Sequence, residues 1–242
     1  MNQPFLSIII PARNEESRLP HAMEQVFAFL EKQPYRSEVL IVENASTDRT
    51  LQVAQQFAGN FPNLRVLQET RPGKGGAIRR GILAAGGEYR FVADADFSMP
   101  VEEIKRFLPP ACACDIAIAS REAPGAVRHG EPYYRHFTGR VFNLLIRMLV
   151  LPGLQDTQCG FKCFSGAVTE DIFPYQTLNG WSFDVEILLI ARRRGYTIQE
   201  IGIPWYYNAG SKISVLHDSG RMFLDLLTIR RNARRGVYDA KG

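Results

Sequence analysis

The sequence has 242 residues, 45% of them hydrophobic and 22% charged, which is the profile of a globular protein with enough apolar side chains for a sizeable core. A formal net charge of +4 favours anionic partners such as phosphates or lipid headgroups without choosing between them. We expect no spanning helix, because the apolar stretch 141–151 carries Arg147 and is far shorter than the ~20 residues that cross a bilayer. We also expect no signal peptide, because the apolar stretch 5–10 has no basic leader and no small-residue cleavage site.

Strands and helices alternate through the first half of the chain. Apolar runs rich in β-branched residues predict strands at 6–10, 39–42, 64–67 and 89–93. Helical patterns between them predict helices near 16–32, 48–57 and 75–85. This alternation indicates βαβ units, so we expect an α/β fold in which a mostly parallel, Rossmann-like sheet is flanked by helices.

The second half is less regular. Its patterns predict a strand at 116–119, a helix at 133–151, a strand at 159–162, a helix at 183–194, a strand ending near 203 and a final amphipathic helix at about 215–235. No repeat, low-complexity tract or linker separates this half from the first. We therefore expect a single domain over 1–242.

The four cysteines are Cys112, Cys114, Cys159 and Cys163. Their spacing matches no zinc finger or ribbon pattern, and no histidine lies near them. Buried free thiols in a reducing cytoplasm are therefore the favoured interpretation, and pairing or a zinc site is the alternative.

Polar segments follow all four predicted strands of the first half, at 11–15, 43–48, 69–76 and 94–96. In parallel α/β sheets, ligands bind beyond the carboxyl ends of the strands. We therefore expect these segments to converge on one edge of the sheet and to form a binding site.

Two of these segments carry recognisable chemistry. Asp94 and Asp96 end a strand, where both carboxylates can share Mg²⁺ or Mn²⁺ and its bound phosphates, although an isolated Asp-x-Asp is also compatible with solvated strand-end carboxylates. The glycine-rich segment 71–77 opens a helix, whose free N–H groups and Lys74 attract phosphate. A glycine turn with a purely structural task is the alternative.

Eight segments, which occur in family order, carry a resemblance: 7–15, 42–48, 73–77, 94–96, 120–121, 156–162, 181–186 and 210–212. Through them the chain resembles the family 2 glycosyltransferases of the GT-A fold, in the branch of dolichyl-phosphate mannose and glucose synthases. The resemblance covers roughly 5–235, and segments 156–162 and 181–186 are more similar to the glucose enzymes. It implies a nucleotide-sugar-binding half over about 1–120 and an acceptor-binding half over about 121–242.

The resemblance also implies site residues. Donor-binding roles pass to Pro11, Arg13, Glu15, Val42, Asn44, Lys74, Gly75, Asp94 and Lys212. Catalytic roles pass to Asp94 and Asp96 as metal ligands, to Arg121 and Arg135 as the acceptor-phosphate grip, and to Asp184. For Asp184, a general base and a carboxylate that merely begins a helix both remain open. The chain departs from many relatives at Asn44, Ser98 and Gly139, which concern base selectivity, the third metal ligand and the acceptor grip.

The implied activity is transfer of a hexose, glucose or mannose, from a UDP- or GDP-linked donor to dolichyl or polyprenyl phosphate, with inversion and with Mg²⁺ or Mn²⁺ as cofactor. A phosphate acceptor is already ionised near neutral pH, so it needs positioning more than a base. The alternative is a family 2 enzyme that acts on a glycan or another soluble hydroxyl acceptor. No motif that recognises DNA or RNA is present, and we expect no nucleic-acid partner.

A polyprenyl tail is insoluble, so we expect a peripheral protein on the cytoplasmic face of a membrane. A helical stripe either dips into the lipid interface or packs in the core, and its members are Phe142, Leu145, Met148 and Leu149. Arginines at 192–194, 230–231 and 234–235 either attract anionic headgroups or are solvated helix ends.

Overall fold

The computed structural model describes residues 3–208 and 215–239, without the side chains of Arg135 and 215–219. In chain order, the first half contains β1 Leu6–Ala12, α1 Leu19–Leu30, β2 Ser37–Asn44, α2 Thr50–Asn60, β3 Leu64–Glu69, α3 Lys74–Ala84 and β4 Tyr89–Val92. The second half contains a 3-10 helix Val101–Phe107, β5 Ile116–Ser120, β6 Val127–His129, α4 Tyr133–Leu149, β7 Lys162–Ser165, α5 Gly166–Ile172, a 3-10 turn Phe173–Tyr175, α6 Phe183–Arg193, β8 Ile198–Gly202, β9 Pro204–Tyr206 and α7 Val215–Arg234.

Seven strands of the described chain form one sheet in the order β3-β2-β1-β4-β7-β5-β8. β7 runs antiparallel to β4 and β5, and the other neighbours are parallel. The expected mostly parallel sheet is confirmed. Strands from both halves of the chain therefore belong to one sheet.

The sheet buries apolar side chains on both faces, because successive residues of a strand point to opposite sides. Ile8 and Ile10 pack with α1 and the 3-10 helix, whereas Ile9 packs with α3 and α6. All three isoleucines are fully buried. This two-sided burial explains why the parallel strands appear in the sequence as continuous apolar runs.

The predicted helices and strands are present, with end points that differ by a few residues. The small sheet formed by β6 and β9 was not expected from the sequence. Both strands have only three residues, and their pairing joins segments about 75 residues apart, so no local pattern announces them. This small sheet lies beside the site described below, because Tyr206 N donates to Ser98 O.

The interpretation of all four cysteines as free thiols is wrong for two of them. Cys112 and Cys114 form a disulfide, whereas Cys159 and Cys163 are free and buried. The disulfide lies in the loop between the 3-10 helix Val101–Phe107 and β5. Burial raises the pKa of the Cys159 thiol to about 11, even though Arg121 acts in the opposite direction, so this thiol is held in its neutral form.

None of the helices in the described residues is long and apolar enough to cross a membrane.

Candidate active site

A cavity of about 600 Å³ lies beyond the carboxyl ends of the parallel strands. It is lined from both halves of the chain, by loops after β1, β2 and β4 and by side chains of α4 and α7. Nine of the residues expected from the sequence line it: Pro11, Arg13, Glu15, Asn44, Lys74, Asp94, Asp96, Arg121 and Asp184. The expected convergence of the strand-end segments therefore occurs.

Asp94 and Asp96 follow β4 and form the acidic centre of the cavity. Asp96 accepts a hydrogen bond from the backbone N of Ser98 at 3.3 Å. Burial, together with the neighbouring Asp94 carboxylate, raises the pKa of Asp96. The two carboxylates repel each other, and a bound cation would neutralise that repulsion.

This pair fits a divalent cation that also binds a diphosphate. In the part of the chain that the structure describes, no cluster of three or more histidine, cysteine or carboxylate side chains is placed to hold a metal. Mg²⁺ and similar hard cations often use one or two carboxylates and complete their shell with phosphate oxygens and water. Asp94 and Asp96 would then be the protein ligands.

Gly160 makes room for the Asp94 carboxylate. A Cβ atom at position 160 would lie 1.8 Å from Oδ2 of Asp94, far inside any contact distance. Gly160 comes just before β7, the antiparallel neighbour of β4. The absence of a side chain at this position therefore determines where Asp94 sits.

Lys74 begins α3 and reaches into the acidic centre. Its Nζ lies 2.5 Å from Oδ1 of Asp94, and it stands 5.6 Å from the ring centroid of Trp181. Burial opposes its charge, but Asp94 and Asp184 outweigh burial and raise the pKa of Lys74. A permanently charged ammonium group at this position suits an anionic ligand.

Asp184 lies in the first turn of α6 and is also buried in the cavity wall. Its Oδ1 lies 2.7 Å from Nζ of Lys162, a buried lysine of β7. Burial raises the pKa of Asp184, while Lys162 and Lys74 oppose that shift. Asp94, Asp96 and Asp184 thus present three carboxylates against two ammonium groups, and a divalent cation would make this cluster net positive, as a diphosphate requires.

Asn44 supports the glycine-rich loop. Its Nδ2 donates to the carbonyls of Glu69 and Arg71, and its Oδ1 accepts from Gly73 N at 2.8 Å. An ionised aspartate has no hydrogen to donate to those carbonyls. The departure from aspartate at this position therefore has a structural explanation, since the amide both donates to the loop carbonyls and accepts from Gly73 N.

Glu15 lines the cavity after β1 and holds Arg18 in place. Its backbone N donates to Thr50 Oγ1 at 2.7 Å, and its carboxylate accepts from Arg18 Nε and Nη2 at 2.6 and 2.8 Å. Arg18 lines the cavity and was not among the expected residues. It precedes α1 and is three residues from Glu15, so the local spacing of the two was the available signal.

Arg121 follows β5 and is paired with a buried partner. Its Nε and Nη2 lie 2.7 and 2.9 Å from the two oxygens of Asp156, which is fully buried. Burial opposes ionisation of Asp156, but Arg121 outweighs burial and lowers the pKa of Asp156 to about 2. The guanidinium also stacks over Trp205, 5.4 Å from the ring centroid. Arg121 lines the cavity in this orientation.

Four expected residues are placed differently from the rest. Val42 is fully buried in the core behind the cavity. Gly75 packs against Phe183, with its N donating to Asn179 O at 2.9 Å. Arg135 lies in the first turn of α4, one turn before the lining residues Thr138 and Gly139, but its side chain is not described. Lys212 lies outside the described residues.

Several lining residues were not expected. They are mainly aromatic, apolar or paired side chains: Arg128, Trp181, Trp205 and Met222. Arg128 donates to Glu122 and to Glu131, and its Nε donates to the Arg121 carbonyl. Trp181 stands in a segment already noted for its resemblance. For Met222 no local signal exists, because α7 reaches the cavity only through the tertiary fold.

The exposed apolar row of α4 differs from the stripe that the sequence predicts and lies about one residue earlier in the chain. Phe142 and Leu149 pack against the core, and Phe142 also lines the cavity. The exposed row of α4 consists instead of Phe137, Val141, Leu144 and Met148. For Phe142 and Leu149 the core interpretation is correct, because α4 packs its inner face on the body of the protein. Met148 alone of the expected stripe is largely exposed, at 73%.

The chain is similar in sequence to known glycosyltransferases. The sequence profile described as Glycosyl transferase family 2 matches residues 7–173. Dolichyl-phosphate beta-glucosyltransferase of Saccharomyces cerevisiae is 34% identical, over 97% of this chain and 76% of that protein. Dolichyl-phosphate beta-glucosyltransferase of Homo sapiens is 33% identical, over 96% of this chain and 77% of that protein.

A solved structure shows the same fold at low identity. The glucosyl-3-phosphoglycerate synthase of Mycobacterium tuberculosis, crystallised with Mn²⁺, UDP and glucosyl-3-phosphoglycerate, superposes with a TM-score of 0.68 at 16% identity, over 93% of this chain and 80% of that chain.

Proposed function

The chain belongs to Glycosyl transferase family 2, and from this premise we propose that it transfers glucose from UDP-glucose to a dolichyl or polyprenyl phosphate. The family resemblance inferred from the sequence is confirmed by the match over 7–173 and by relatives above 30% identity. The GT-A fold is confirmed by the superposition. The protein is a glycosyltransferase related to dolichyl-phosphate beta-glucosyltransferases, and the proposal concerns its donor, metal, acceptor, stereochemistry and location.

The observation that carries the proposal is the single cavity that joins two kinds of anion site. Asp94, Asp96 and Lys74 stand on one wall, and Arg121 stands on another. Transfer between a nucleoside diphosphate and a phosphate monoester needs both. A glycan hydroxyl acceptor carries no charge, so it has little need of the arginine wall.

The donor side supports a UDP-sugar with a divalent cation. A synthase of the same fold was crystallised with Mn²⁺ and UDP-glucose. In this chain, Asp94 and Asp96 line the cavity together and have the oxygen ligands that such a cation takes. When bound, the cation supplies positive charge to the leaving diphosphate. Lys74 adds a fixed charge on the same side, and Trp181 packs over its ammonium group.

The acceptor side supports a phosphate. Asp156 holds Arg121 in one orientation through two hydrogen bonds, so the guanidinium loses little conformational entropy when it binds an anion. An ionised phosphate oxygen attacks the anomeric carbon without help from a base. A single displacement from an α-linked donor gives a β-linked product.

The test is transfer by the purified protein from UDP-glucose, with GDP-mannose beside it, in the presence of Mn²⁺ or Mg²⁺. Three acceptors are compared: a short polyprenyl phosphate, the matching polyprenol without phosphate, and a soluble oligosaccharide. We expect glucosylation of the phosphate alone, and proton coupling at the anomeric carbon reports its configuration. Transfer to the oligosaccharide with none to the phosphate would contradict the proposal.

We also propose that the protein binds a membrane from the cytoplasmic face, with α4 and α7 towards the lipid. The exposed row of α4 is apolar, and α7 exposes Phe223, Leu224 and Leu227. The two helices contact each other. Arginines of the last turns of α7 surround a hollow of about 390 Å³ beside Leu227, and its lining is Leu227, Arg230, Arg231, Arg234 and Arg235.

Co-sedimentation with vesicles of phosphatidylserine and phosphatidylcholine tests this orientation. Replacing Phe137 and Met148 by Gln is expected to reduce binding, because both apolar side chains leave the lipid interface. Leu83→Gln is the control, since Leu83 is an exposed apolar residue of α3 and lies outside α4 and α7. Unchanged binding of the α4 variant, or no binding of the wild type, would contradict the orientation.

The cytoplasmic face is tested separately. The free thiols of Cys159 and Cys163 are compatible with a reducing compartment, whereas the disulfide between Cys112 and Cys114 gives that assignment no support. Protease digestion of sealed vesicles from cells that produce the protein is expected to degrade it when the cytoplasmic face is outside. Protection from the protease in that orientation would contradict the assignment.

A further inference from the structure

Glu186 is a fully buried carboxylate of α6 whose partners are neutral hydrogen-bond donors. It accepts from Thr177 N at 3.0 Å and Leu178 N at 2.8 Å, and also from the Thr177 hydroxyl. The hydroxyl of Tyr238 donates to it at 2.7 Å. None of the described residues forms an ion pair with Glu186. Buried carboxylates are usually paired with a cation, so an arrangement of neutral donors around this one calls for an explanation.

These partners belong to two other parts of the molecule. Thr177 and Leu178 stand in the segment 176–181, which connects the 3-10 turn Phe173–Tyr175 with α6. Tyr238 follows α7, and Asn232 of α7 donates to the hydroxyls of both Thr177 and Tyr238 at 3.3 Å. Glu186 therefore fastens the segment 176–181 between α6 and the end of α7.

The same segment holds the beginning of α3. The carbonyl of Asn179 accepts from Gly75 N at 2.9 Å and Gly76 N at 3.3 Å, and Gln176 Nε2 donates to Gly75 O at 2.9 Å. A Cβ atom on Gly73 would lie 2.4 Å from the Asn179 carbonyl oxygen. The contact is thus close enough that any shift of 176–181 moves the start of α3.

Lys74 stands at the start of α3 and connects this contact with the acidic centre. Its Nζ lies 2.5 Å from Asp94, and the ring of Trp181, the last residue of the segment, covers it. The contacts therefore run without a gap from Tyr238 through Glu186, the segment 176–181 and Lys74 to Asp94.

We propose that Glu186 is a positioning residue for the diphosphate end of the donor: by fixing the segment 176–181, it sets the place of Lys74 beside Asp94. Glu186 itself touches no ligand, since it is fully buried and does not line the cavity. The inference rests on the donor half of the proposed function and is independent of the acceptor.

The primary test is calorimetric binding of UDP with Mn²⁺ to the full chain, with GDP and Mn²⁺ beside it, well below each variant's melting temperature. Glu186→Gln keeps one oxygen to accept from the N–H groups of Thr177 and Leu178, but its NH₂ then faces the hydroxyls of Thr177 and Tyr238, which can no longer donate to residue 186. Two of the hydrogen bonds that hold the segment 176–181 are thereby lost or reversed. We expect the affinity for the bound diphosphate to fall by at least about tenfold. Val26→Ala, in the core on the opposite face of the sheet, is the control for lost stability and should bind like the wild type.

A milder matched pair protects the test if Glu186→Gln does not fold. Thr177→Val removes the hydroxyl that donates to Glu186, whereas Thr177→Ser keeps it. We expect Thr177→Val to weaken diphosphate binding and Thr177→Ser to restore it towards the wild-type value. Tyr238→Phe, which removes a single donor, should act in the same direction as Thr177→Val.

The outcomes separate the two ideas. If Glu186→Gln and Thr177→Val lower the melting temperature but bind UDP and Mn²⁺ with wild-type affinity, as Val26→Ala does, Glu186 is merely structural and the inference is overturned. If the variants lose diphosphate affinity while the wild type binds UDP but glucosylates no polyprenyl phosphate, the positioning role stands and the proposed acceptor fails.

Discussion

The two charged walls of the cavity differ in how their charges are balanced. On the wall that we propose for the donor, named the donor wall below, Asp94 and Asp96 share one nearby lysine, and burial with mutual repulsion raises the pKa of Asp96. On the wall that we propose for the acceptor, named the acceptor wall below, Arg121 is paired with Asp156, whose pKa is lowered to about 2. A bound cation would relieve the repulsion between the two carboxylates of the donor wall. On the acceptor wall, the cationic group is Arg121 itself, and Asp156 already holds it in place.

This difference separates binding from stability. A carboxylate that repels its neighbours in the folded state lowers the free energy of unfolding, and such a group is typical of a ligand-binding site. A buried, well-paired charge contributes to folding and also orients the group that it pairs with. The predictions below test whether each wall behaves accordingly.

The largest effect is expected from Asp156→Asn. This change leaves the Arg121 guanidinium without its buried counter-charge, and breaking a buried pair typically costs about 3–5 kcal/mol of the free energy of unfolding. Denaturant unfolding at neutral pH measures the loss. A loss well below 1 kcal/mol would show that the pair does not stabilise the fold.

The pH dependence sharpens the same prediction. The folded pKa of Asp156 is about 2 and lies below its ordinary value of 3.8, so its stabilisation is complete above the ordinary value and is lost as the pH falls towards 2. The wild type should therefore lose stability over this acid range. Asp156→Asn should lack that part of the slope, and an identical slope in both proteins would contradict the assignment.

Asp96→Asn is expected to have the next largest effect, on activity rather than on folding. Loss of a charge that holds the cation at the leaving diphosphate should lower kcat by roughly 10²–10³-fold. Because the folded-state pKa of Asp96 is raised, its ionised form opposes folding at neutral pH, and the neutral amide should be equally or more stable. We therefore expect kcat to fall while the melting temperature stays the same or rises. A fall in both would contradict the donor-wall comparison.

Gly160→Ala tests how closely the donor wall is fitted. The new methyl group collides with Oδ2 of Asp94, and a displacement of about 1 Å at a reacting group can cost ~100-fold in rate. Steady-state transfer with saturating Mn²⁺ measures the effect. Gly59→Ala is the matched control, because nothing lies within 4 Å of a Cβ at that helical position. Equal activity of the two variants would show that Asp94 tolerates the shift.

The smallest effect is expected from Arg121→Lys on the acceptor wall. Lysine cannot pair with both oxygens of Asp156 and also present a planar edge to a phosphate, so the KM for polyprenyl phosphate should rise by roughly 10- to 100-fold. The affinity for UDP should stay unchanged. Arg106→Lys, at a partly exposed arginine that pairs with Glu103, controls for the loss of a guanidinium. A change in UDP affinity with an unchanged acceptor KM would move Arg121 to the donor wall.

The sequence alone predicts the donor wall well. Apolar runs separated by helical patterns indicate the parallel strands, and the polar segments after these runs contain Asn44, Lys74 and Asp94. The carboxyl ends of parallel strands meet at one edge, so local patterns suffice to bring these residues together. Val42 has its donor role from the family resemblance alone, and the structure places this residue inside a buried strand, where its side chain points into the core. Its donor role stays a prediction.

The family resemblance already points to Arg121, but only the tertiary structure decides which partner orients this arginine and which residues support Lys74. Arg121 meets Asp156 across 35 residues, and Glu186 meets Tyr238 across 52, with no periodic signal linking either pair. The exposed face of α4 is likewise chosen by what packs beneath it, which is why Phe142 is covered and Phe137 is not. Backbone periodicity is encoded locally, whereas the partner of a buried charge and the covered side of a helix depend on residues that only folding brings near.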